Sequence, residues 1–595
     1  MATCLKVENE DENENEDENE NENEDENEDE DDSKDDGPGR RETMSITPSS
    51  LFGALGTARQ GLFTSQKALS VTGQNIANVN TPGYSRQRPN IVSMPMLSGA
   101  RVDQVQRIRD QYLDTQRAAA LSSLGMNQAQ DNTLSQLESV FDETSSPGTI
   151  NLLDGFFSAI QDLTVRPDGS AEREGVRAAA TSLVKHVNSI RQSLTDLRRQ
   201  QDLAIQETVG SINDMAGQIA NLNDQIARAS ASGLTANELV DQRGQLVSEL
   251  AQLTQVQTYD NGQGTFTVVI GNGLTLVEGI NHSDLAVTAN AAKDALANIG
   301  LRQAGGQILD VTDRLQSGQI GGLLKARNVD IKNEMDNLDR FAAQFAVRFN
   351  VQHRQGYNLD NPPSQNIDFF RPPDVYAQSK ANNTGGAKIS AAAVADQSQL
   401  TFNDYEIRFS GGSYQIANLS TGALTAPVAY VSGAPITFDG ISVTISDAGG
   451  PPADGDVFAA NTYANAAGAF DLSDAVKASL NNIAASGDGI QGDNANALAL
   501  AALQHTGVFD NGALTPGEYL STNLTSLGVN TKRAHEDLSA QQSIVDQVNG
   551  FIEQMSGVSV DEESTYMIQY ERAFQATSRV ITTVDEMLQT LISMV

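Results

Sequence analysis

Two stripes of apolar residues with heptad spacing stand near opposite ends of the chain. The first runs from about residue 47 to residue 79, at alternating spacings of four and three, which predicts a coiled-coil helix. Its larger apolar members are Leu55, Leu62, Leu69 and Ile76. Ser65 and Thr72 occupy seam positions, and several glycines lower the helix propensity, so packing along this first stripe is expected to be weak.

The second stripe runs to the C-terminus. Ser559 and Glu562 form an S-x-x-E pattern, which predicts the start of a helix. The stripe that follows contains Met567, Tyr570, Phe574, Ile581, Val584, Leu588 and Leu591. A helix of this length would extend for roughly 50 Å. The simplest expectation is that the two stripes pack on each other as a stalk, while the chain between them makes an outward excursion.

The intervening sequence alternates helical and β patterns. Helix spacing covers residues 101 to about 143, 152–163, 183–226, 320–352, 494–504 and about 531–555. Residues 261–279 read as a β-hairpin around Gly271, Asn272 and Gly273. Between about residues 385 and 465, period-two alternation and an Asp439-Gly440 turn predict further hairpins. Prolines near residues 362–373 and the segment 461–470 are expected to be the hinges of this β region.

These patterns predict an elongated multidomain protein, mainly α with β insertions. The predicted divisions are an acidic leader at 1–43, a terminal coiled-coil domain at 44–90 plus 556–595, a mainly helical middle domain at 91–384 plus 466–555, and an outer β domain at 385–465.

Charge is distributed unevenly along the chain. Residues 1–43 hold 21 acidic and four basic residues, a net charge of −17 out of −38 for the whole protein. The tract from Asp11 to Asp32 has no apolar residue to bury and repels itself, which favours disorder. It is either a solvated appendage or an upstream in-frame stretch included by a wrong start codon. We favour the second, because Met44 immediately precedes the ordered pattern.

The same composition excludes several classes of function. An acidic chain lacks the basic face that nucleic-acid binding requires. The single cysteine, Cys4, leaves no disulfide or thiolate metal site, and no apolar run is long enough to span a membrane.

Candidate chemistry is sparse. The five histidines are scattered, and a surface or capping role is expected for them. Asp561, Glu562 and Glu563 stand at a helix start, where the helix dipole accounts for them. We expect no enzyme activity, no cofactor and no metal.

The apolar pattern of the first stripe ends in the polar stretch NIANVNTPGYSRQR, residues 75–88. Its turn residues are Asn75, Asn78, Asn80, Thr81, Pro82, Gly83 and Tyr84. The asparagines are expected to leave the helix because their amides bond local backbone, and Pro-Gly suits a type II turn. This stop is interpreted as a joint between the stalk and the outer domains. Tyr84, Arg86 and Arg88 are expected to be subunit contacts.

The run SVTGQNIANVNTPGYSRQRP at 70–89 and the C-terminal SGVSVDEESTYMIQYERAFQATSRVITTVDEMLQTLISMV resemble the two terminal signatures of the bacterial flagellar rod, hook and hook-associated axial proteins. The long helical block, with the tracts GGLLKARNVDIKNEMDNLDRFAAQFAVRFNVQHRQGYNLD and GDNANALALAAL, is most similar to the hook-associated members. The resemblance covers essentially residues 44–595, and the acidic leader departs from it.

This resemblance implies a structural subunit that joins the hook to the filament. It implies unfolded export through the flagellar type III channel to an extracellular position, and self-assembly into a ring or helical array. The implied partners are the hook protein, a second hook-associated protein and a cytoplasmic export chaperone. Two alternatives stay open, namely another axial protein of the hook or distal rod, and a secreted coiled-coil adhesin.

Overall fold

The computed structural model describes residues 48–94, 99–141, 148–260, 266–289, 296–303 and 305–594. The acidic leader and the suggested start at Met44 lie outside these residues. In the described part of the chain, no helix combines the length and apolar character needed to cross a membrane.

Eleven α-helices occur in the described residues. They are α1 Pro48–Ala77, α2 Gln111–Val140, α3 Thr149–Val165, α4 Ser170–Ala231, α5 Asn237–Leu253, α6 Gly318–Lys325, α7 Ile331–His353, α8 Asp474–Ala478, α9 Ala495–Ala502, α10 Pro516–Ser556 and α11 Val560–Ser593. A π-helical turn at Ala326–Asp330 joins α6 to α7.

The strands of the first half form three antiparallel sheets. A two-stranded hairpin pairs β1 Gln87–Met94 with β2 Gly99–Arg107. The second sheet has the order β3-β4-β5-β6, with β3 Val256–Asp260, β4 Phe266–Ile270, β5 Leu274–Glu278 and β6 Asn281–His282. The third has the order β7-β8-β9, with β7 Leu285–Ala289, β8 Ala297–Arg302 and β9 Ile308–Asp310.

The β-rich region contains two further sheets. One has the order β10-β17-β12-β13-β14, with β10 Tyr376–Ser379, β12 Tyr405–Ser410, β13 Ser413–Asn418, β14 Val428–Ala429 and β17 Val457–Asn461. The other has the order β11-β16-β15, with β11 Lys388–Val394, β15 Pro435–Phe438 and β16 Ile441–Ser446. The predicted fold class, mainly α with β insertions, is confirmed.

One sequence expectation about these elements is wrong. The helix predicted from residue 101 begins instead at Gln111, because the preceding residues form β2 and pair with β1. The hairpin predicted at 261–279 is present in its described part as β4 and β5, and β3 and β6, which the sequence did not predict, extend it to a four-stranded sheet. Short strands of this kind carry too few residues for a clear period-two signal.

Buried residues form two cores. One joins helices α4 and α7 to the β-rich region, and its centre is a group of phenylalanines that includes Phe156, Phe345 and Phe370. The other lies where α2, α4, α5 and α6 pack against the β3 to β8 strands. The β-rich region therefore shares a core with the helices that carry it.

Polar contacts reinforce that attachment. Arg340 of α7 donates to Asp404 at 2.8 Å and stacks over the ring of Tyr463. The buried carboxylate of Asp339 accepts from the backbone N–H groups of residues 465 and 467. Segment 461–470, expected to be a hinge, is thus packed into the core, because its small and aromatic residues fill space beside α7.

His353 also corrects an expectation, since it lies fully buried beside Phe349 and Phe369 rather than at the surface. Its Nδ1 lies 2.7 Å from the carbonyl oxygen of Ile367, and its Nε2 accepts from the backbone N–H of Ala484. Burial lowers the pKa of His353 to about 4. The neutral imidazole therefore acts as a structural bridge.

Candidate functional site

The terminal helices α1 and α11 pack side by side. Their approach is close at Gly61, where an added Cβ would lie 2.9 Å from the Cγ2 of Thr577. The predicted α1 stripe, Leu55, Leu62, Leu69 and Ile76, is half-buried, while Ala58, Ala68 and Val71 are buried. The buried face of α1 packs against β2 as well as against α11.

Helix α11 is much less covered. Of its predicted stripe, Val584 is buried and the other six, Met567, Tyr570, Phe574, Ile581, Leu588 and Leu591, are half-buried. A neighbouring heptad position carries Val580, Met587 and Met594, which are 45%, 43% and 79% exposed. The sequence reasoning assigned Met587 and Met594 to the packing stripe, and this is wrong, because they form a separate exposed line one residue ahead of Leu588. The helix pair in one chain therefore leaves an apolar edge open.

The turn that follows α1 has the geometry its residues favour. The backbone N–H of Tyr84 donates to the carbonyl of Thr81 at 3.2 Å, and Gly83 has a φ of +78°. This positive φ after Pro82 fits the predicted type II turn. Asn78 donates its amide to the carbonyl of Gln74, and Asn80 is exposed.

Asn75 departs from the prediction, because it stays in the last turn of α1 and is buried. Its Nδ2 donates to the carbonyl of Gln87 at 2.8 Å and to Oε2 of Glu563 at 3.0 Å. Its Oδ1 accepts from the Gln87 N–H at 3.0 Å and from the Tyr84 hydroxyl at 2.9 Å. Partners from distant segments satisfy the amide, so it has no need of local backbone.

Glu563 joins the start of α11 to this turn. Its side chain accepts from Nε of Arg86 at 2.8 Å, and Glu562 accepts from the same guanidinium at 2.7 Å. The Arg86 N–H donates to the carbonyl of Ser556 at 3.0 Å. The helix dipole alone therefore does not account for these acids, because both pair with Arg86.

Asp241 of α5 joins the turn to the helical body. It accepts from the Ser85 hydroxyl at 2.7 Å and from the guanidinium of Arg107 at 2.6 Å. Burial and the carboxylates of Asp241 and Glu563 raise the pKa of Tyr84 to about 12. The Tyr84 hydroxyl is thus kept protonated and able to donate.

Together these residues form a three-way joint between α1, the α10–α11 connection and α5. We define the joint as Asn75, Tyr84, Ser85, Arg86, Asp241 and Glu563. Sequence reasoning found the turn but missed Asp241 and the role of Glu563, whose partners are distant along the chain. Tyr84 and Arg86, expected to be subunit contacts, bond within the chain.

A cavity of about 620 Å³ opens beside the joint, lined by residues 78–86 together with Arg109, Arg117 and residues 549–562. Within the described ranges, no group of three or more His, Cys, Asp or Glu residues is arranged to hold a metal ion. The side chains of the joint hold α1, α5 and the start of α11 in fixed relative positions, which is a structural role.

Comparisons with known proteins agree along the length of the chain. The FlgK helical domain of flagellar hook-associated proteins matches residues 134–370, and the D2-like domain of flagellar hook-associated protein 1 matches 378–462. The flagella basal body rod protein family matches 55–84, and the C-terminal family of the basal body rod FlgEFG proteins matches 548–594. The two terminal matches contain most of the helix pair and three of the six joint residues, Asn75, Tyr84 and Glu563.

Whole-chain relatives carry the same name. Flagellar hook-associated protein 1 of Escherichia coli K12 is 28% identical over 553 residues, covering 91% of this chain and 99% of that protein. Flagellar hook-associated protein 1 of Bacillus subtilis is 26% identical over 586 residues, covering 92% and 98%. The solved structure of the flagellar hook junction protein FlgK from Burkholderia pseudomallei has a TM-score of 0.64 at 21% identity, covering 74% of this chain and 100% of that one. This last likeness is one of fold.

Proposed function

We propose that this chain, which belongs to the family of flagellar hook-associated protein 1, is the structural subunit that joins the hook of the bacterial flagellum to its filament. It is a structural protein of the flagellum and not an enzyme. Its partners are other axial components of the flagellum.

The observation that carries this function is the unfinished packing of the terminal helices. In one chain, the apolar line of Val580, Met587 and Met594 stays exposed beside a half-buried stripe. Exposed contiguous apolar surface of this kind marks a protein–protein contact. Neighbouring copies in a helical or ring array would cover it by head-to-tail contacts.

The finer assignments follow from the same arrangement. Copies of this chain, the hook protein and a second hook-associated protein are the proposed neighbours. A cytoplasmic chaperone is proposed to shield the α11 stripe before type III export delivers the protein outside the cell. Helices with polar seam positions are marginal alone, which suits export in an unfolded state and folding at the assembly site.

We also propose the domain division set out above, with residues 44–90 and 556–595 as the assembling domain. Strand β10 at Tyr376–Ser379 pairs with β17, so the sheet of the proposed outer β domain includes residues ahead of 385. The subunit-interface role of the two predicted stripes remains a prediction.

Paired substitutions on α11 test the proposal. Phe574→Asp with Ile581→Asp places two carboxylates on the half-buried stripe, and we expect loss of filament attachment and motility while the helical body stays folded. Val165→Asp, an exposed apolar position at the end of α3, is the matched control and should leave motility intact. Thermal unfolding of the purified variants checks the folded body. Normal filaments on cells carrying the α11 variant would refute the assembling role of this stripe.

A further inference from the structure

The cavity beside the joint brings together charged side chains from separate parts of the chain. Its volume of about 620 Å³ lies within the range of about 300–1,000 Å³ that is typical of small-ligand sites. The charged residues of its lining are three arginines, Arg86, Arg109 and Arg117, and two glutamates, Glu553 and Glu562. The lining is therefore net positive, in a protein whose overall charge is −38.

The three arginines differ in how far the folded chain neutralises them. Arg86 pairs with two carboxylates of α11, at 2.7 and 2.8 Å. Arg109 donates to Asp114 at 2.9 Å. Among the described residues, no carboxylate lies within ion-pair distance of the Arg117 guanidinium and no hydrogen bond reaches it. Arg117 is therefore the cation of this cavity that lacks a counter-charge.

The surroundings of Arg117 oppose its charge. Burial lowers its pKa, and the positive charge of the neighbouring Arg109 lowers it further. The Nε atoms of both arginines are buried without a hydrogen-bond partner. A bound anion would counter both effects, because a guanidinium presents its N–H donors in a planar fork that fits the oxygens of a carboxylate or a phosphate.

We propose that this cavity binds a small oxyanion, a phosphate or a carboxylate, with Arg117 as its main contact and Arg109 as a second donor. The neutral amides of Asn80 and Asn549 line the same cavity and can donate further hydrogen bonds to oxygen. These donors come from the turn after α1, from α2 and its start, and from α10.

Two further features of the lining favour an anion. Residues 557–559, which immediately precede α11, lie in it, so the positive end of the helix dipole is at the cavity. The two lining glutamates oppose an anion only weakly. Glu562 is already paired with Arg86, and Glu553 is exposed, so solvent screens its charge.

A bound oxyanion would strengthen the attachment of the joint to the helical body. Its contacts would link α2 to the turn and to the end of α10, which only the folded protein brings together. Such a ligand stabilises the folded state by mass action. The binding does not depend on the role of the chain in the flagellum.

Isothermal titration calorimetry of the purified chain tests the proposal, with sodium phosphate and sodium malonate as the probes in chloride buffer of constant ionic strength. We expect binding that weakens about tenfold to a hundredfold in Arg117→Gln, and less in Arg117→Lys, which keeps the charge but loses the planar fork. Arg88→Gln is the matched control, because Arg88 is an exposed cation outside the cavity lining. It should bind like the unmodified chain.

Thermal unfolding separates binding from folding. In chloride alone, Arg117→Gln should unfold at the same temperature as the unmodified chain or higher, because the change breaks no ion pair and removes the repulsion from Arg109. Addition of the bound probe should raise the unfolding temperature of the unmodified chain and leave that of Arg117→Gln nearly unchanged. Hydrogen exchange should slow in peptides from the end of α10, where Asn549 lies.

The two probes identify the source of the oxyanion. Tighter binding of phosphate would indicate a phosphate ligand, and tighter binding of malonate would indicate a carboxylate ligand. Failure of both probes to bind would overturn the proposal. Equal affinity in the unmodified chain and Arg117→Gln would place the anion elsewhere, and an equal loss in Arg88→Gln would reduce the effect to general charge. None of these results bears on the motility test of Phe574 and Ile581, so the two proposals fail separately.

Discussion

Glu563 offers the sharpest test of the joint, because its neighbour Glu562 binds the same arginine from the surface. The Glu563 side chain is buried and accepts from Arg86 at 2.8 Å and from Asn75 at 3.0 Å. The Glu562 side chain is 59% exposed and makes one contact with Arg86, at 2.7 Å. Two carboxylates adjacent in sequence therefore differ mainly in burial and in their contact with Asn75.

The expected costs follow from that difference. Removing one partner of a buried ion pair costs about 3–5 kcal/mol, and the lower end applies to Glu563→Ala because Arg86 keeps Glu562. We therefore expect about 3 kcal/mol for the docking of α11. Glu562→Ala should cost less than about 1 kcal/mol, since exposed ion pairs and first-turn acids contribute little. Glu563→Gln, which keeps an acceptor for Asn75, should fall between the two.

Hydrogen exchange of peptides from the first half of α11 measures this docking directly. A loss of about 3 kcal/mol corresponds to roughly a hundredfold loss of protection, because each 1.4 kcal/mol is a factor of ten. Peptides from α3, whose main contacts are with α4 and α9, serve as the internal reference. Equal loss of protection in Glu562→Ala and Glu563→Ala would refute the reasoning, since it would show that burial and the Asn75 contact contribute nothing.

Three further predictions concern the helical body. Burial lowers the pKa of His353 from its ordinary 6.5 to about 4, so the free energy of unfolding should be at its full value above pH 6.5 and fall by about 3 kcal/mol as the pH drops to 4. Urea titrations at several pH values should show a smaller loss in His353→Asn. The control His282→Asn changes an exposed residue and should keep the full loss. The buried guanidinium of Arg173 donates to backbone carbonyls of two separate segments, so Arg173→Met should lower the free energy of unfolding by about 3 kcal/mol. An unchanged midpoint of urea unfolding would contradict this. An added Cβ at Gly125 would lie 2.0 Å from a backbone oxygen, so Gly125→Ala should destabilise the folded protein by about 1–3 kcal/mol in thermal unfolding. The control Gly155→Ala adds its Cβ in open space on α3 and should stabilise the protein by about 0.5–1 kcal/mol.

Local sequence rules predicted the elements whose signals are contained within a few turns. The heptad spacing of Phe574, Ile581 and Leu588 predicted α11 because a helix repeats its own pattern over many residues. The Asp439-Gly440 pair predicted the β15–β16 turn, where both residues have the positive φ that such turns require. In each case the residues that form the feature are close in sequence.

The joint could be predicted only in part, because its bonds join distant segments. Asn75 and Glu563 are 488 positions apart, and Ser85 and Asp241 are 156 apart. Local propensity placed Asn75 outside the helix, since asparagine commonly bonds nearby backbone. The tertiary partners reversed that preference, and nothing within a window of a few residues contains them.

The polar joint and the open apolar edge have a mechanical connection. An apolar seam with serine, threonine and glycine at its contacts specifies helix register poorly, because neighbouring heptads offer similar surfaces. Asn75, by contrast, has all its hydrogen bonds satisfied in one register of α1 against α11. A slip of one heptad would move Glu563 by about 10 Å along the axis and leave a buried amide and an arginine without their partner. The joint therefore fixes where Val580, Met587 and Met594 stand relative to the body of the protein. In the proposed assembly, each subunit would then present its uncovered edge to the next at a defined height.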